Sequence, residues 1–145
     1  MASWVTPITD WDGVTSGRKY INFGDTDRIE ENTEYLYDEF VAIGYISAIT
    51  TFTYPRTVTS FDFYDDWNRI ENNILAIKNA TWEPLIWTTP QITWASVQQS
   101  FSFVDTNRME QNLLYLYEML NNIKDAYLYC GDSQTSIAGK GNTVF

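Results

Sequence analysis

The sequence predicts an α+β fold made of three tandem repeats of about 40 residues, and three observations support this prediction. Phe23, Phe63 and Phe103 lie 40 residues apart, twice over. Each is followed by a charged motif of the form Asp-x-(Asn/Asp)-Arg-(Ile/Met)-Glu-x-Asn. Each motif is followed by an apolar stripe with helical spacing. One such unit cannot bury its apolar face alone, so we expect three helices packed with pseudo-threefold symmetry.

Short strands are expected before each helix and between the helices. Residues 21–23, 61–63 and 101–103 alternate apolar and polar side chains, which is the period of a half-buried strand. The second copy has one extra residue before Asp66, which indicates a bulge. Residues 45–54 and 82–94 are rich in Thr, Ile, Tyr, Phe and Trp, which favours further strands.

Each motif predicts the start of a helix, at one of two positions. Either Asp25, Asp66 and Asp105 are the N-caps, or the side chains two residues later are, in the capping-box pattern. The third helix is expected to be the longest, ending near Tyr127 with Gly131 as its stop. The motif residues, copy by copy, are Asp25, Arg28, Ile29, Glu30, Asn32, Asp66, Arg69, Ile70, Glu71, Asn73, Asp105, Arg108, Met109, Glu110 and Asn112.

The domain organisation follows from the repeats. A chain of 145 residues predicts one domain. We place it at residues 1–131, with repeats at about 8–44, 45–84 and 85–131. Residues 132–145 are expected to form a flexible tail. Alternatively, the tail docks on a neighbouring subunit through Val144 and Phe145.

The arginines and glutamates of the motif are expected to be architectural. Arg28 and Glu30 are two residues apart, and side chains at that spacing on a helix do not face each other. Each arginine is therefore expected to pair with a glutamate or cap of another copy. The asparagines, beginning with Asn32, stand beside the helix seam, where a polar side chain fixes register. The alternative is a ligand or anion site formed by the arginines.

Composition argues against several classes of function. A net charge of −10 disfavours binding to nucleic acid and to an anionic membrane. Histidine is absent, so histidine-based catalytic triads and histidine-ligated metal sites are excluded, and the single cysteine, Cys130, has no zinc-ligand pattern around it. We expect no catalytic residues, no metal and no cofactor. Asp62, Asp65 and Asp66 form an acidic cluster that could supply the two carboxylates of a glycosidase, but we expect the cluster to be structural.

The aromatic side chains have two interpretations. Six Trp and ten Tyr either build the core and subunit interfaces or form a platform for sugars. Trp67 stands out, because the equivalent positions hold Thr26 and Thr106. If exposed, Trp67 would be an interface residue.

Residues 20–30 and 66–73 resemble a known module, written in words as tyrosine–phenylalanine–asparagine followed by aspartate–leucine–asparagine–arginine–isoleucine–glutamate. The module occurs in virion structural proteins of bacteriophages and prophages of Gram-positive bacteria, often in tail, baseplate or fibre-type components. The resemblance covers the three motif-plus-helix segments, about half of the chain. Thr26, Trp67 and Thr106 stand where the module has leucine, and Asp27 stands where it has its first asparagine.

The resemblance implies a non-enzymatic structural protein of a phage virion, made in the bacterial host cytoplasm. It would be an adaptor, decoration or tail- or fibre-associated component that forms homo-oligomers and binds other virion proteins. The alternative is a receptor- or carbohydrate-binding module that uses exposed Trp and Tyr on a host surface glycan.

Overall fold

The computed structural model describes the backbone of residues 2–18, 20–45, 47–51, 55–57, 59, 62, 64–95 and 101–144. Side chains are described for these residues as far as Leu128. The elements are three helices: α1 (Phe23–Ala42), α2 (Tyr64–Ala80) and α3 (Phe103–Val144). No strand is present in this part of the chain, so the α+β prediction is wrong.

The expected strands do not form in the described part of the chain, because the backbone of the aromatic segments hydrogen-bonds to other parts of the chain and not to a neighbouring strand. The described residues of 45–54 and 82–94 run as irregular chain, and the backbones of Thr50, Thr88 and Trp94 bond to asparagine side chains of the helices rather than to a sheet ladder. Phe23 and Phe103 begin helices instead of ending strands. The extra residue of the second copy lies between Phe63 and Asp66, at Tyr64 or Asp65, and both belong to α2, so the proposed bulge is wrong.

The three helices share one core. Equivalent apolar positions of the copies are buried against each other, with Ile29 and Met109 at 0% and Ile70 at 1% exposure. The rest of the core consists of Leu36, Phe40, Trp67, Ile74, Ile77, Trp94, Leu113, Leu116 and Leu120. Thr33 is the polar member of the first stripe, and its hydroxyl donates to the Ile29 carbonyl oxygen at 2.7 Å.

The helices run parallel, because contacts join their starts and also join residues further along them in the same order. Arg28 and Arg108, near the starts of α1 and α3, reach glutamates near the starts of α3 and α2. Lys124, midway along α3, pairs with Glu39 near the end of α1. The Tyr45 and Trp82 rings, which follow α1 and α2, lie 5.6 Å apart.

Both predicted helix starts are wrong where the structure describes them. The N-cap of α1 is Asn22, whose side chain accepts hydrogen bonds from the N–H groups of Gly24 and Asp25. Asp25 lies in the first turn and accepts the Asn22 N–H at 3.0 Å, which completes a capping box. Ser102 and Asp105 repeat the bond at the start of α3, at 2.8 Å. The residue before α2, Phe63, is outside the described residues.

Helix α3 does not stop near Gly131. Its backbone continues to Val144, so residues 132–144 are helical rather than irregular. A glycine within a helix costs only about 0.5–1 kcal/mol, which neighbouring turns can absorb. Side-chain contacts of Val144 and Phe145 lie outside the described residues.

Candidate functional site

The segment before each helix is held by an asparagine of that helix. The Asn32 side chain accepts the Val5 N–H at 2.9 Å and donates to the Val5 carbonyl at 2.7 Å. Asn73 makes the same two bonds with Thr50, both at 2.8 Å. Asn112 makes them with Thr88, at 3.1 and 2.7 Å. An asparagine amide replaces a strand neighbour here, because it offers one donor and one acceptor.

Six residues further on, each segment is held by the preceding copy. The Asn68 side chain of α2 makes two bonds with the backbone of Trp94, at 2.7 and 2.9 Å. Asn107 of α3 does the same with Trp11, at 2.9 and 2.7 Å. Asn107 and Trp11 are 96 residues apart in the sequence, so these bonds join the third repeat to the first segment of the chain. The three repeats therefore close into a ring.

We call the contact between two neighbouring copies a seam. At the seam between copies 1 and 2, charged residues occupy the positions that hold tryptophan and asparagine at the other two seams. Arg56 takes the place of Trp11 and Trp94, and Asp27 takes the place of the asparagines. The Asp27 carboxylate accepts the Arg56 backbone N–H at 2.7 Å and its guanidinium at 2.8 Å. The Arg56 side chain is 1% exposed and also contacts Asp62 at 2.8 Å and Glu30 at 3.2 Å. A charged pair thus replaces a tryptophan–asparagine pair.

The motif arginines form a second ring of contacts between copies, which confirms the prediction of pairing between repeats. The Arg28 Nε donates to Glu110 at 3.1 Å, and the Arg108 Nε donates to Glu71 at 3.0 Å. Arg69 pairs with Glu30 and closes the circuit.

Each of these arginines also faces the aspartate three residues before it. Asp25 lies 2.9 Å from Arg28, Asp105 lies 2.8 Å from Arg108, and Asp66 lies 3.7 Å from the third arginine. Each motif arginine thus faces two carboxylates, one in its own helix and one in a neighbouring copy. The charges of the arginines are therefore used in contacts between the copies. Of the residues expected to cap helices, Asp25 and Asp105 therefore serve both the helix start and the ion pair.

Burial dominates the electrostatics of the glutamates. Burial raises the pKa of Glu110, against the opposing effects of Arg28 and the Ile8 N–H. Burial likewise raises the pKa of Glu71, against the effect of Arg108. The pKa of Glu30 is raised by the same cause. The ring of ion pairs is a desolvated structural feature rather than a solvent-exposed charge pattern.

Trp67 is buried, so the exposed position that an interface role would require is not found. The side chain is 7% exposed and stacks on Phe101 with ring centroids 3.9 Å apart. Trp94 lies 5.7 Å from the same Phe101 ring. At the equivalent positions Thr26 and Thr106 bond to the backbone of their own helix starts. Trp67 therefore fills the seam between copies 2 and 3.

An exposed apolar surface lies where α1 and α2 end. A groove of about 230 Å³ is lined by Tyr45, Trp82, Ile123, Ala126 and Tyr127, with Trp82 61% and Tyr127 58% exposed. A second groove of about 400 Å³ adjoins α3 and includes the exposed side chains of Leu85 and Ile86. We call Tyr45, Trp82, Leu85, Ile86 and Tyr127 the apolar end.

Several residues of the seams were missed from the sequence. Neither Trp94 nor Arg56 was singled out from the sequence. The signal was present: Val5 to Trp11, Thr50 to Arg56 and Thr88 to Trp94 are each six residues apart.

The described residues contain no cluster of three or more metal-ligating side chains. Among the described helices, none has the length and apolarity needed to cross a membrane. Comparison with family models, curated proteins and solved structures finds no match.

Proposed function

We propose that this chain is a non-enzymatic structural protein of a bacteriophage virion, acting as an adaptor, decoration or tail- or fibre-associated component through protein–protein interfaces. The virion assignment is supported by the resemblance of the repeated motif. The assembly role is supported by one observation. The motif arginines and glutamates pair with each other between the copies, whereas the apolar end is exposed and could contact a partner.

The nature of the apolar end favours a protein partner. Exposed contiguous apolar surface on a folded domain is typical of sites where other proteins dock. Trp and Tyr, which are enriched at such interfaces, stand on its rim at Trp82 and Tyr127. The partners would be other virion proteins and further copies of this chain.

The proposal is tested by incorporation into particles. Virions purified by density gradient should contain the wild-type chain at a fixed copy number by quantitative mass spectrometry. Leu85→Ser should reduce its incorporation at least tenfold, whereas Val14→Ser, at an exposed aliphatic side chain away from the apolar end, should not. A chain present in lysates and absent from purified virions would contradict the proposal.

Carbohydrate binding is the second candidate, because Trp82 and Tyr127 present two exposed rings beside one groove. Sugar faces stack on such rings, and micromolar binding on a glycan array would support this function. Trp82→Ala should then abolish binding while Val14→Ser preserves it. Absence of binding across the array would leave the protein-binding function alone.

A further inference from the structure

An aromatic side chain begins each of the three helices. Phe23, Tyr64 and Phe103 are the first residues of α1, α2 and α3, and each lies five residues before the motif arginine of its helix. Counted from the arginines, the equivalent of the two phenylalanines in the second copy is therefore Tyr64 rather than Phe63. The three rings occupy equivalent positions around the pseudo-threefold axis.

The three rings are exposed to nearly the same degree, at 40% for Phe23, 46% for Tyr64 and 38% for Phe103. Side chains of a helix tilt toward its N-terminus, and the three helices run parallel. The rings therefore project at the same end of the domain, and we call these three residues the aromatic end. It lies at the opposite end of α1 and α2 from the apolar end, so the two are separate surfaces.

The threefold repetition of the rings indicates a contact outside the domain. Positions inside the seams differ between copies, as Trp67 and Arg56 show, whereas the first helical residue is a half-exposed aromatic ring in every copy. Aromatic rings at a surface are typical anchors of protein interfaces. Three equivalent rings can be bound in the same way by three identical subunits, and a closed homotrimer presents such subunits around one axis.

Acidic side chains beside the rings indicate the charge of the partner. Asp65 follows Tyr64 and is exposed. Asp12 is also exposed, and it precedes Gly13, where a Cβ atom would lie 2.8 Å from the Phe103 ring. A second copy of this chain, placed ring against ring, would bring these carboxylates together, and like charges at an interface are unfavourable. A partner with lysine or arginine beside its apolar contacts is complementary to this end.

We propose that the aromatic end docks on the end of a homotrimeric protein, in which each subunit presents an apolar pocket flanked by Lys or Arg to one of the three rings. The pseudo-threefold axis of this chain then coincides with the threefold axis of the trimer, and one chain binds three subunits. The inference goes beyond the proposed function, because it assigns a second surface and the symmetry of the partner that binds there.

The first test is photo-cross-linking from each ring. Benzoylphenylalanine, a photoreactive analogue that keeps an aromatic ring, replaces Phe23, Tyr64 or Phe103 in a tagged full-length chain, in the cells that make it. After irradiation and purification under denaturing conditions, mass spectrometry should place all three cross-links on the same short peptide of one polypeptide. The control position is Val5, which has the same 40% exposure as Phe23 and lies beside Asn32 in α1, away from the helix starts.

The control should not cross-link to that peptide. Three cross-links to unrelated peptides, cross-links to another copy of this chain, or yields no higher than that of the control would each overturn the proposal.

The second test is the composition and strength of the complex with the polypeptide so identified. Native mass spectrometry should give one chain for three partner subunits. Phe23→Ser, Tyr64→Ser and Phe103→Ser should each weaken binding about tenfold, because each removes one aromatic anchor, whereas Val5→Ser should not. Binding should also weaken between about 0.1 M and 1 M salt. A complex of one to one, or a loss confined to one ring, would overturn the threefold arrangement.

Circular dichroism should show that the serine variants keep the wild-type helix content. The outcomes also separate this inference from the proposed function. If the chain is found in virions and its three rings cross-link to unrelated peptides, only the threefold partner fails. If the cross-links coincide and the chain is absent from virions, only the virion assignment fails.

Discussion

Arg28 and Glu110 lie 82 residues apart, and their ion pair joins the beginning of α1 to the beginning of α3. The same contact recurs between Arg108 and Glu71 and between Arg69 and Glu30. These three pairs repeat around the pseudo-threefold axis. They explain why the motif carries an arginine and a glutamate at a spacing that cannot pair within one helix.

Asn107 should be a main contributor to ring closure. Asn107→Asp removes the amide donor and places a carboxylate oxygen near the Trp11 carbonyl oxygen, which now accepts at 2.7 Å. We expect a loss of about 1–3 kcal/mol in the free energy of unfolding, measured by urea denaturation. Asn121→Asp, at an exposed position of the same helix, is the control and should change stability by less than about 0.5 kcal/mol. Equal effects at both positions would contradict the role of Asn107.

Trp67 should contribute to stability rather than to binding. Trp67→Thr introduces the residue of the other copies and leaves a cavity against Phe101, so we expect a loss of about 3–5 kcal/mol. Trp82→Thr removes a mostly exposed ring and should cost less than about 1 kcal/mol in the isolated chain. Thermal and urea unfolding of the two variants distinguish these expectations, and a reversed order would refute the assignment.

Asp27 and Arg56 should depend on each other. Asp27→Asn weakens the contacts of a buried guanidinium, and Arg56→Trp leaves Asp27, Glu30 and Asp62 without that cation. The double substitution recreates the pair found at Asn68 and Trp94. We therefore expect the double variant to be at least about 1 kcal/mol more stable than the sum of the single effects predicts. Additive losses would show that the two positions are independent.

Glu71 should make the protein relatively more stable at mildly acidic pH. Because burial raises its pKa above the ordinary 4.5, the folded state binds the proton more tightly than the unfolded chain does. Its contribution to the free energy of unfolding therefore increases as the pH falls from neutrality toward 4.5.

The difference in stability between wild type and Glu71→Gln isolates this effect, since the other carboxyl groups cancel. Urea unfolding at pH 7 and pH 5 should show the wild type gaining relative to the variant at pH 5. Glu118→Gln, at an exposed position, should show no such change. A gain at pH 7 instead would mean that the pKa of Glu71 is lowered in the folded state.

The sequence predicted some of these relationships and misled on others. Pairing of Arg28 and its equivalents between copies followed from the periodicity and the i, i+2 spacing, which are local properties. The prediction of strands was wrong. The β propensity of residues such as Thr50 and Thr88 does not reveal that an asparagine side chain binds the backbone there. Propensity describes a residue's preference, and the partner is decided by tertiary structure.

The contacts between copies also depend on residues that are distant in the sequence. Asp27 stands where the other copies have asparagine, and the reason for this difference is its partner Arg56, 29 residues away. Trp67 departs from the threonines of the other copies, and the sequence did not show that it packs against Phe101, whose ring also lies near Trp94. Such compensating changes lie on different segments, so no single repeat reveals them.

Closure of the third repeat onto the first is tested most directly by a double-mutant cycle at Arg28 and Glu110, using Arg28→Met, Glu110→Gln and the double variant. Unfolding free energies from urea denaturation should give a favourable coupling of about 1–3 kcal/mol between the two side chains. A coupling indistinguishable from zero would contradict the closed ring and favour an open array of repeats.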